Sequence, residues 1–60
     1  MIFDIWSDWR GSTKWWGMSE GDNFEEACRE LAANDYEFRR MFNPLRMTVA
    51  GYKLRFDSQP

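Results

Sequence analysis

The clearest pattern of apolar positions in this chain lies between Asp22 and Ala33. Its apolar residues recur at intervals of three and four, which places them on one side of an α-helix: Phe24, Ala27, Cys28, Leu31 and Ala32. Asp22 or Asn23 is suited to cap the start of the helix, because either side chain can accept a hydrogen bond from a backbone N–H one turn later. The pattern therefore predicts a helix over residues 23–33 with one buried side and one solvent side.

A different pattern precedes the helix. Apolar and polar residues alternate over residues 2–10, which is typical of a β-strand with one buried face. Gly11-Ser12 then fits a two-residue type II′ turn, so residues 13–20 are predicted to return as the second strand of a hairpin. This register gathers five apolar residues on the face predicted to contact the helix: Phe3, Ile5, Trp9, Trp16 and Met18.

The same register leaves two tryptophans on the opposite face of the hairpin. Trp6 and Trp15 are predicted to be diagonal neighbours there, with Asp4 and Asp8 beside them. Two alternatives stay open at this point: a later segment covers the two rings, or a one-residue error in the register exchanges the two faces.

The rest of the chain continues the mixed pattern. Apolar residues at helical spacing predict a short second helix over residues 36–42, which Asp35 can cap. Pro44 ends it, because the residue before a proline avoids the helical conformation. Apolar and polar residues alternate again over residues 45–57, but the alternation shifts by one residue at Ala50-Gly51. This shift indicates either a tight hairpin or one long strand with a bulge.

The long bent strand is favoured over the hairpin. Ala-Gly is a weak hairpin turn, and the hairpin would set Arg46 opposite Arg55. The predicted fold is α+β in a single small domain over residues 1–60. A three- or four-stranded antiparallel sheet carries the main helix on one face, in the order ββα(α)β(β).

Composition excludes several kinds of stabilisation and chemistry. The chain has 60 residues, one cysteine and no histidine, so an internal disulfide is excluded and a compact zinc site is not expected. Its apolar runs are too short to span a membrane, and no basic segment followed by an apolar one marks a signal peptide. A lone cysteine without an export signal predicts a cytoplasmic protein.

Catalytic chemistry is not expected either. There is no histidine to act as a general base, and Cys28 falls on the apolar side of the helix, where a cysteine is usually an inert core residue. The glycines form no phosphate-binding loop. We therefore predict no enzymatic activity, no cofactor and no metal.

Charge is distributed unevenly along the chain. Residues 1–35 carry eight acids and three bases, a net charge of −5, while residues 36–60 carry two acids and five bases, a net charge of +3. Such an uneven distribution favours oriented docking on a charged partner. The alternative is that these charged residues only form ordinary solvated surfaces.

Binding to another protein is the function that these features predict first, because tryptophan, tyrosine and arginine dominate the energetics of protein interfaces. The predicted contact surface comprises four residues of the outer hairpin face and an acidic patch on the helix: Trp6, Trp15, Asp4, Asp8, Glu25, Glu26 and Glu30. The acidic patch could occupy a positively charged groove made for nucleic acid, with its carboxylates where phosphates would lie.

Two further functions compete with this one. A single-stranded nucleic-acid binder would use the rings together with the cations of the second half: Arg39, Arg40, Arg46, Lys53 and Arg55. The acidic net charge of −2 counts against it, since a dedicated binder of this size is usually strongly basic. Alternatively, the chain forms a homodimer whose interface contains the exposed tryptophans.

Two segments resemble a known group of proteins. The run Ser19-Glu20-Gly21-Asp22-Asn23-Phe24-Glu25-Glu26-Ala27-Cys28 and the later run Gly51-Tyr52-Lys53-Leu54-Arg55-Phe56-Asp57 are similar to short proteins of bacteriophages and prophages. Those proteins tend to have a hairpin, then a helix that opens with Phe-x-Glu-Ala-Cys, then a late strand with Gly-x-x-Leu-Phe-Asp. Arg55 departs from the last motif, because it separates Leu54 from Phe56. The resemblance implies a non-enzymatic host-takeover factor that binds a bacterial defence complex, with an anti-CRISPR inhibitor as the most specific form, and it carries over no catalytic residue.

Overall fold

A computed structural model of the protein describes residues 1–59, with side chains through residue 57. Pro60, the last residue of the predicted domain, lies outside the described residues. The elements are β1 (Ile2–Trp9), β2 (Ser12–Glu20), α1 (Phe24–Asn34), α2 (Tyr36–Met41), β3 (Phe42–Asn43), β4 (Thr48–Val49) and β5 (Tyr52–Gln59). The strands form one antiparallel sheet in the order β2-β1-β5-β4-β3.

This architecture confirms the predicted α+β fold, in which a main helix packs on one face of an antiparallel sheet. The described sheet has five strands rather than three or four. The difference comes from β3 and β4, which have two residues each and are too short to leave an alternating pattern in the sequence.

The turn between β1 and β2 lies one residue earlier than predicted. Arg10 and Gly11 occupy its two central positions with φ angles of 47° and 81°, and Trp9 pairs with Ser12. Positive φ at both positions defines a type I′ turn, whose twist matches that of the strands. The predicted Gly11-Ser12 turn is therefore wrong.

A β-bulge then changes which way β2 faces. Trp6 pairs with Trp15 but Ile5 pairs with Gly17, so Trp16 is an extra residue on β2. Gly17 has a φ angle of 122°, which few other residues adopt. Beyond the bulge the side chains exchange faces. The prediction that Met18 is buried against the helix is wrong, since its side chain is 60% exposed on the opposite face.

A second tight hairpin, rather than one long bent strand, forms the end of the chain. Ala50 and Gly51 have φ angles of 50° and 84°, and Val49 pairs with Tyr52 across the turn. The hairpin places Val49 in the core, and β5 pairs with β1 along seven residues. Arg46 lies in the turn between β3 and β4, so the expected repulsion opposite Arg55 does not arise.

Capping interactions fix the helix ends. The side chain of Asn23, rather than that of Asp22, accepts a hydrogen bond from the backbone N–H of Glu26 at 2.9 Å. Glu26 in turn accepts a hydrogen bond from the backbone N–H of Asp22 at 3.1 Å. Asp35 caps α2 as predicted, accepting a hydrogen bond from the N–H of Phe38 at 3.0 Å. These bonds satisfy amide groups that a helix start leaves without internal partners.

The core lies between the two helices and one face of the sheet. We call this the inner face of the sheet, and it carries Phe3, Ile5 and Leu54. The buried apolar side chains are Phe3, Ile5, Ala27, Cys28, Leu31, Ala32, Phe38, Val49 and Leu54. Trp16 packs against this core with its ring centroid 5.3 Å from that of Phe38. In the described part of the chain, neither helix is long and apolar enough to cross a membrane.

Candidate protein-binding face

The opposite face of the sheet, which we call the outer face, carries Trp6, Trp15 and Arg55. These three residues form one row across the sheet, because Trp6 of β1 pairs with Trp15 of β2 on one side and with Arg55 of β5 on the other. Side chains of paired residues lie side by side on the same face. The two tryptophans are therefore direct neighbours rather than the diagonal neighbours that the sequence predicted.

Arg55 is held over the ring of Trp6. Its Cζ atom lies 5.2 Å from the Trp6 ring centroid, and its Nε atom lies 3.3 Å from Oδ2 of Asp8. An exposed ion pair of this kind adds little stability, about 0–1 kcal/mol. Its effect is to orient the guanidinium group, so that the outer face presents a fixed cation beside two indole rings.

Trp15 is the most exposed ring of the row. Its side chain is 51% exposed, and its indole N–H donates a hydrogen bond to Oδ1 of Asp4 at 3.2 Å. Trp6 is half-buried, and its Nε1 atom is buried with no hydrogen-bond partner among the described residues. The structure therefore brings Trp6, Trp15, Asp4 and Asp8 together on one open face, as the alternation along β1 predicted.

Apolar side chains extend this face beyond the row. Ile2 and Met18 are both exposed, and Met18 pairs with Asp4 on the neighbouring strand. A standard protein interface buries about 800 Å² on each partner. That is about a fifth of the 4267 Å² accessible surface of the chain. The composition of the outer face, with rings and arginine at the centre and carboxylates beside them, is typical of interface hot spots.

The acidic patch predicted on the helix lies elsewhere. Glu25, Glu26 and Glu30 belong to α1, in the layer that covers the inner face, so they do not extend the outer face. Each glutamate has a local partner. Glu25 lies 3.7 Å from Arg29, Glu26 bonds to the backbone at the start of the helix, and Glu30 accepts a hydrogen bond from the side chain of Asn34 at 3.1 Å.

The basic residues predicted for nucleic-acid binding are divided between two layers. Lys53 and Arg55 lie on the outer face of β5, where they pair with Asp8 and Trp6. Arg39 and Arg40 lie in the last turn of α2, and Arg46 lies in the turn between β3 and β4. The five residues predicted to bind nucleic acid therefore do not form a single patch: Arg39, Arg40, Arg46, Lys53 and Arg55.

The sequence pattern did not reveal that Met18 and Arg55 belong to the outer face. Met18 was assigned to the core because the bulge was not recognised, although Gly17 inside a strand is a signal for one. Arg55 was assigned only to nucleic-acid binding. Its place beside Trp6 depends on the pairing of β5 with β1, which joins residues far apart in the sequence.

Cys28 is the cysteine of the chain, and its thiol lies in the core. Burial, together with the smaller effect of the nearby Glu25 carboxylate, raises the pKa of the Cys28 thiol to about 12. A thiol with this pKa stays protonated near pH 7. Among residues 1–59, no three histidine, cysteine, aspartate or glutamate side chains form a group that could hold a metal ion.

Comparison with known proteins adds no assignment. No protein-family model, no curated protein and no solved structure matches the chain.

Proposed function

We propose that the chain is a non-enzymatic binding protein that docks on a partner protein through its outer face. The observation that carries the proposal is the row of Trp15, Trp6 and Arg55 on the face that neither helix covers. Arg55 is oriented by Asp8 and Trp15 by Asp4, so these side chains lose little conformational entropy on binding.

The partner face is expected to carry apolar groups and at least one carboxylate. The exposed rings of Trp15 and its neighbours need an apolar surface, and Arg55 can exchange part of its contact with Asp8 for an acidic group of the partner. Aspartates at the edge of the row favour a partner that also has basic groups.

The narrower form of the proposal is an inhibitor of a bacterial defence complex, with an anti-CRISPR inhibitor as its most specific version. Its support is the sequence resemblance to small phage proteins. Because the outer face and the acidic side of α1 lie on opposite layers, one flat partner surface contacts only one of them. We therefore favour steric blocking through the outer face over the presentation of Glu25, Glu26 and Glu30 to a nucleic-acid groove.

Affinity capture with matched variants tests the proposal. Immobilised wild-type chain, Trp15→Ser, Arg55→Glu and the helix control Glu30→Gln are each incubated with bacterial lysate, after circular dichroism has shown that all four are folded. We expect at least one protein that the wild type and Glu30→Gln retain, and that both outer-face variants lose. The expected loss is at least about 30-fold, because hot-spot substitutions cost about 2 kcal/mol or more.

Two results would contradict the proposal. The first is a set of retained proteins that is the same for all four chains. The second is self-association through this face, which sedimentation would reveal as a wild-type dimer and a Trp15→Ser monomer, because the outer face would then be occupied by a second copy of the chain.

A further inference from the structure

A groove opens on the inner face where the helices do not cover it. We call this end of the sheet the turn end, because the Arg10-Gly11 and Ala50-Gly51 turns lie next to each other there. The groove has a volume of about 290 Å³ and is lined in part by Trp16, Tyr52 and Lys14. A second cavity of about 290 Å³ shares Tyr52 with the first and reaches Trp9.

Exposed rings line this continuous depression. Trp9 is 51% exposed and Tyr52 is 40% exposed, and their ring centroids lie 6.2 Å apart in an edge-to-face arrangement. Neither side chain belongs to the buried core. The ring surface that this edge-to-face contact leaves exposed can stack on flat groups of a ligand.

A cation lies against the rings at two positions. The Cζ atom of Arg10 is 5.1 Å from the ring centroid of Trp9, and the Nζ atom of Lys14 is 4.0 Å from that of Trp16. Of the described residues that line the first cavity, Lys14 alone carries a charge. Arg10 lines a neighbouring cavity that also includes Trp9. A ligand in the groove therefore meets Lys14 inside it and Arg10 beside its Trp9 end.

The charge of the whole sheet is polarised in the same direction. In β1, β2, β5 and their turns, the half nearest the turn end has a net charge of +3, from four cations and one acid: Arg10, Lys14, Lys53, Arg55 and Asp8. The other half of these strands has a net charge of −3, from three acids: Asp4, Glu20 and Asp57. The acidic start of α1 follows that second half, so the turn end is basic although the chain has a net charge of −2.

We propose that this groove binds a short segment of single-stranded nucleic acid. Bases stack on Trp9 and Tyr52, and the phosphates beside them contact Arg10 and Lys14. An acidic peptide would satisfy the cations, but it has few flat groups for two exposed rings, whereas every nucleotide supplies both a flat base and a phosphate. The groove lies on the inner face, so this proposal and docking through the outer face can fail independently.

Fluorescence anisotropy with a labelled oligothymidylate and a labelled oligouridylate of eight nucleotides tests the proposal at low salt. We expect Trp9→Ala and Tyr52→Ala each to weaken binding by about 5-fold to 150-fold. Trp15→Ala, a tryptophan of similar exposure on the outer face, is the matched control and is expected to leave the dissociation constant within about 2-fold.

The salt dependence gives a second readout. With two phosphates neutralised, the logarithm of the association constant should fall with the logarithm of salt concentration with a slope of about −1.4. Lys14→Ala should reduce this slope to about −0.7. The proposal is overturned by the absence of binding at low salt, by an equal loss in Trp15→Ala and Trp9→Ala, or by tighter binding of a Glu- and Tyr-containing peptide than of either oligonucleotide.

Discussion

Two half-buried tryptophans differ in how their indole N–H groups are satisfied. The N–H of Trp16 donates a hydrogen bond to Oγ of the buried Ser7 at 3.0 Å. The Nε1 atom of Trp6 is also buried but has no hydrogen-bond partner among the described residues. A buried N–H without an acceptor loses its bonds to water and gains none in return. The same chemical group therefore stabilises the fold at position 16 and not at position 6.

Replacement by phenylalanine measures this difference. Trp16→Phe and Trp6→Phe each remove one indole N–H and a similar amount of ring surface. Trp16→Phe also leaves the hydroxyl of Ser7 without this partner, so we expect it to lower the unfolding free energy by about 1 kcal/mol more than Trp6→Phe does. Urea unfolding followed by far-ultraviolet circular dichroism provides the comparison. Equal losses, or a larger loss for Trp6→Phe, would contradict the account of these two sites.

Part of the candidate site was predictable residue by residue. The predicted turn pairs Trp9 with Lys14, whereas the structure pairs Trp9 with Ser12. A shift of two residues leaves every side chain on its face, because strand side chains alternate with a period of two. Trp6 and Trp15 were therefore placed correctly on the same face from an incorrect turn. Met18 was not, because the bulge at Gly17 shifts the register by one residue.

At the level of elements, the helices were easier to predict than the hairpins. The start of α1 follows from its cap and from apolar spacing over 11 residues, which are local features of the sequence. The hairpins instead depend on residues in a left-handed conformation that their side chains do not favour. Arg10 and Ala50 both have positive φ at the first central position of a type I′ turn. Each turn is fixed instead by the register of its own hairpin, β1 with β2 and β4 with β5.

Ala50→Asn tests this account of the second hairpin. Asparagine tolerates positive φ better than alanine does, and Asn-Gly is the preferred sequence of a type I′ turn. We expect the substitution to raise the unfolding free energy by about 0.5–1 kcal/mol. Ala33→Asn is a matched control at an exposed helical position, where asparagine is the poorer residue and stability should fall by about 0.5 kcal/mol. Destabilisation by Ala50→Asn in thermal or urea unfolding would indicate that the turn is not type I′.

At the scale of the whole molecule, folding rearranges the charge that the sequence shows. Along the chain, residues 1–35 are acidic and residues 36–60 are basic. The sheet brings Arg10 and Lys14 of the acidic part to the same end as Lys53 and Arg55 of the basic part. The separation of positive and negative charge between the two ends of the sheet could not be predicted from the sequence. It depends on β5 pairing with β1, which brings the two turns to one end.

The sheet as a whole uses one face for the core and leaves the other uncovered. Both helices pack on the inner face, while the outer face keeps an oriented row of two indoles and one guanidinium group. The central claim of the proposed function is that a partner protein covers this row. The most direct test is a measurement that shows whether the partner contacts the outer face or the helix side of the protein.

Site-specific photo-crosslinking is that measurement. Thr13 lies on the outer face opposite Asp8, and Ala33 lies on the exposed side of α1, so p-benzoylphenylalanine at either position keeps the Trp15, Trp6 and Arg55 row intact. The two labelled chains are irradiated separately in bacterial lysate, and the products are identified by mass spectrometry. We predict a specific crosslinked protein from position 13, lost when Trp15→Ser is added, and none from position 33. Crosslinks from position 33 alone, or a product at position 13 that survives Trp15→Ser, would contradict the claim.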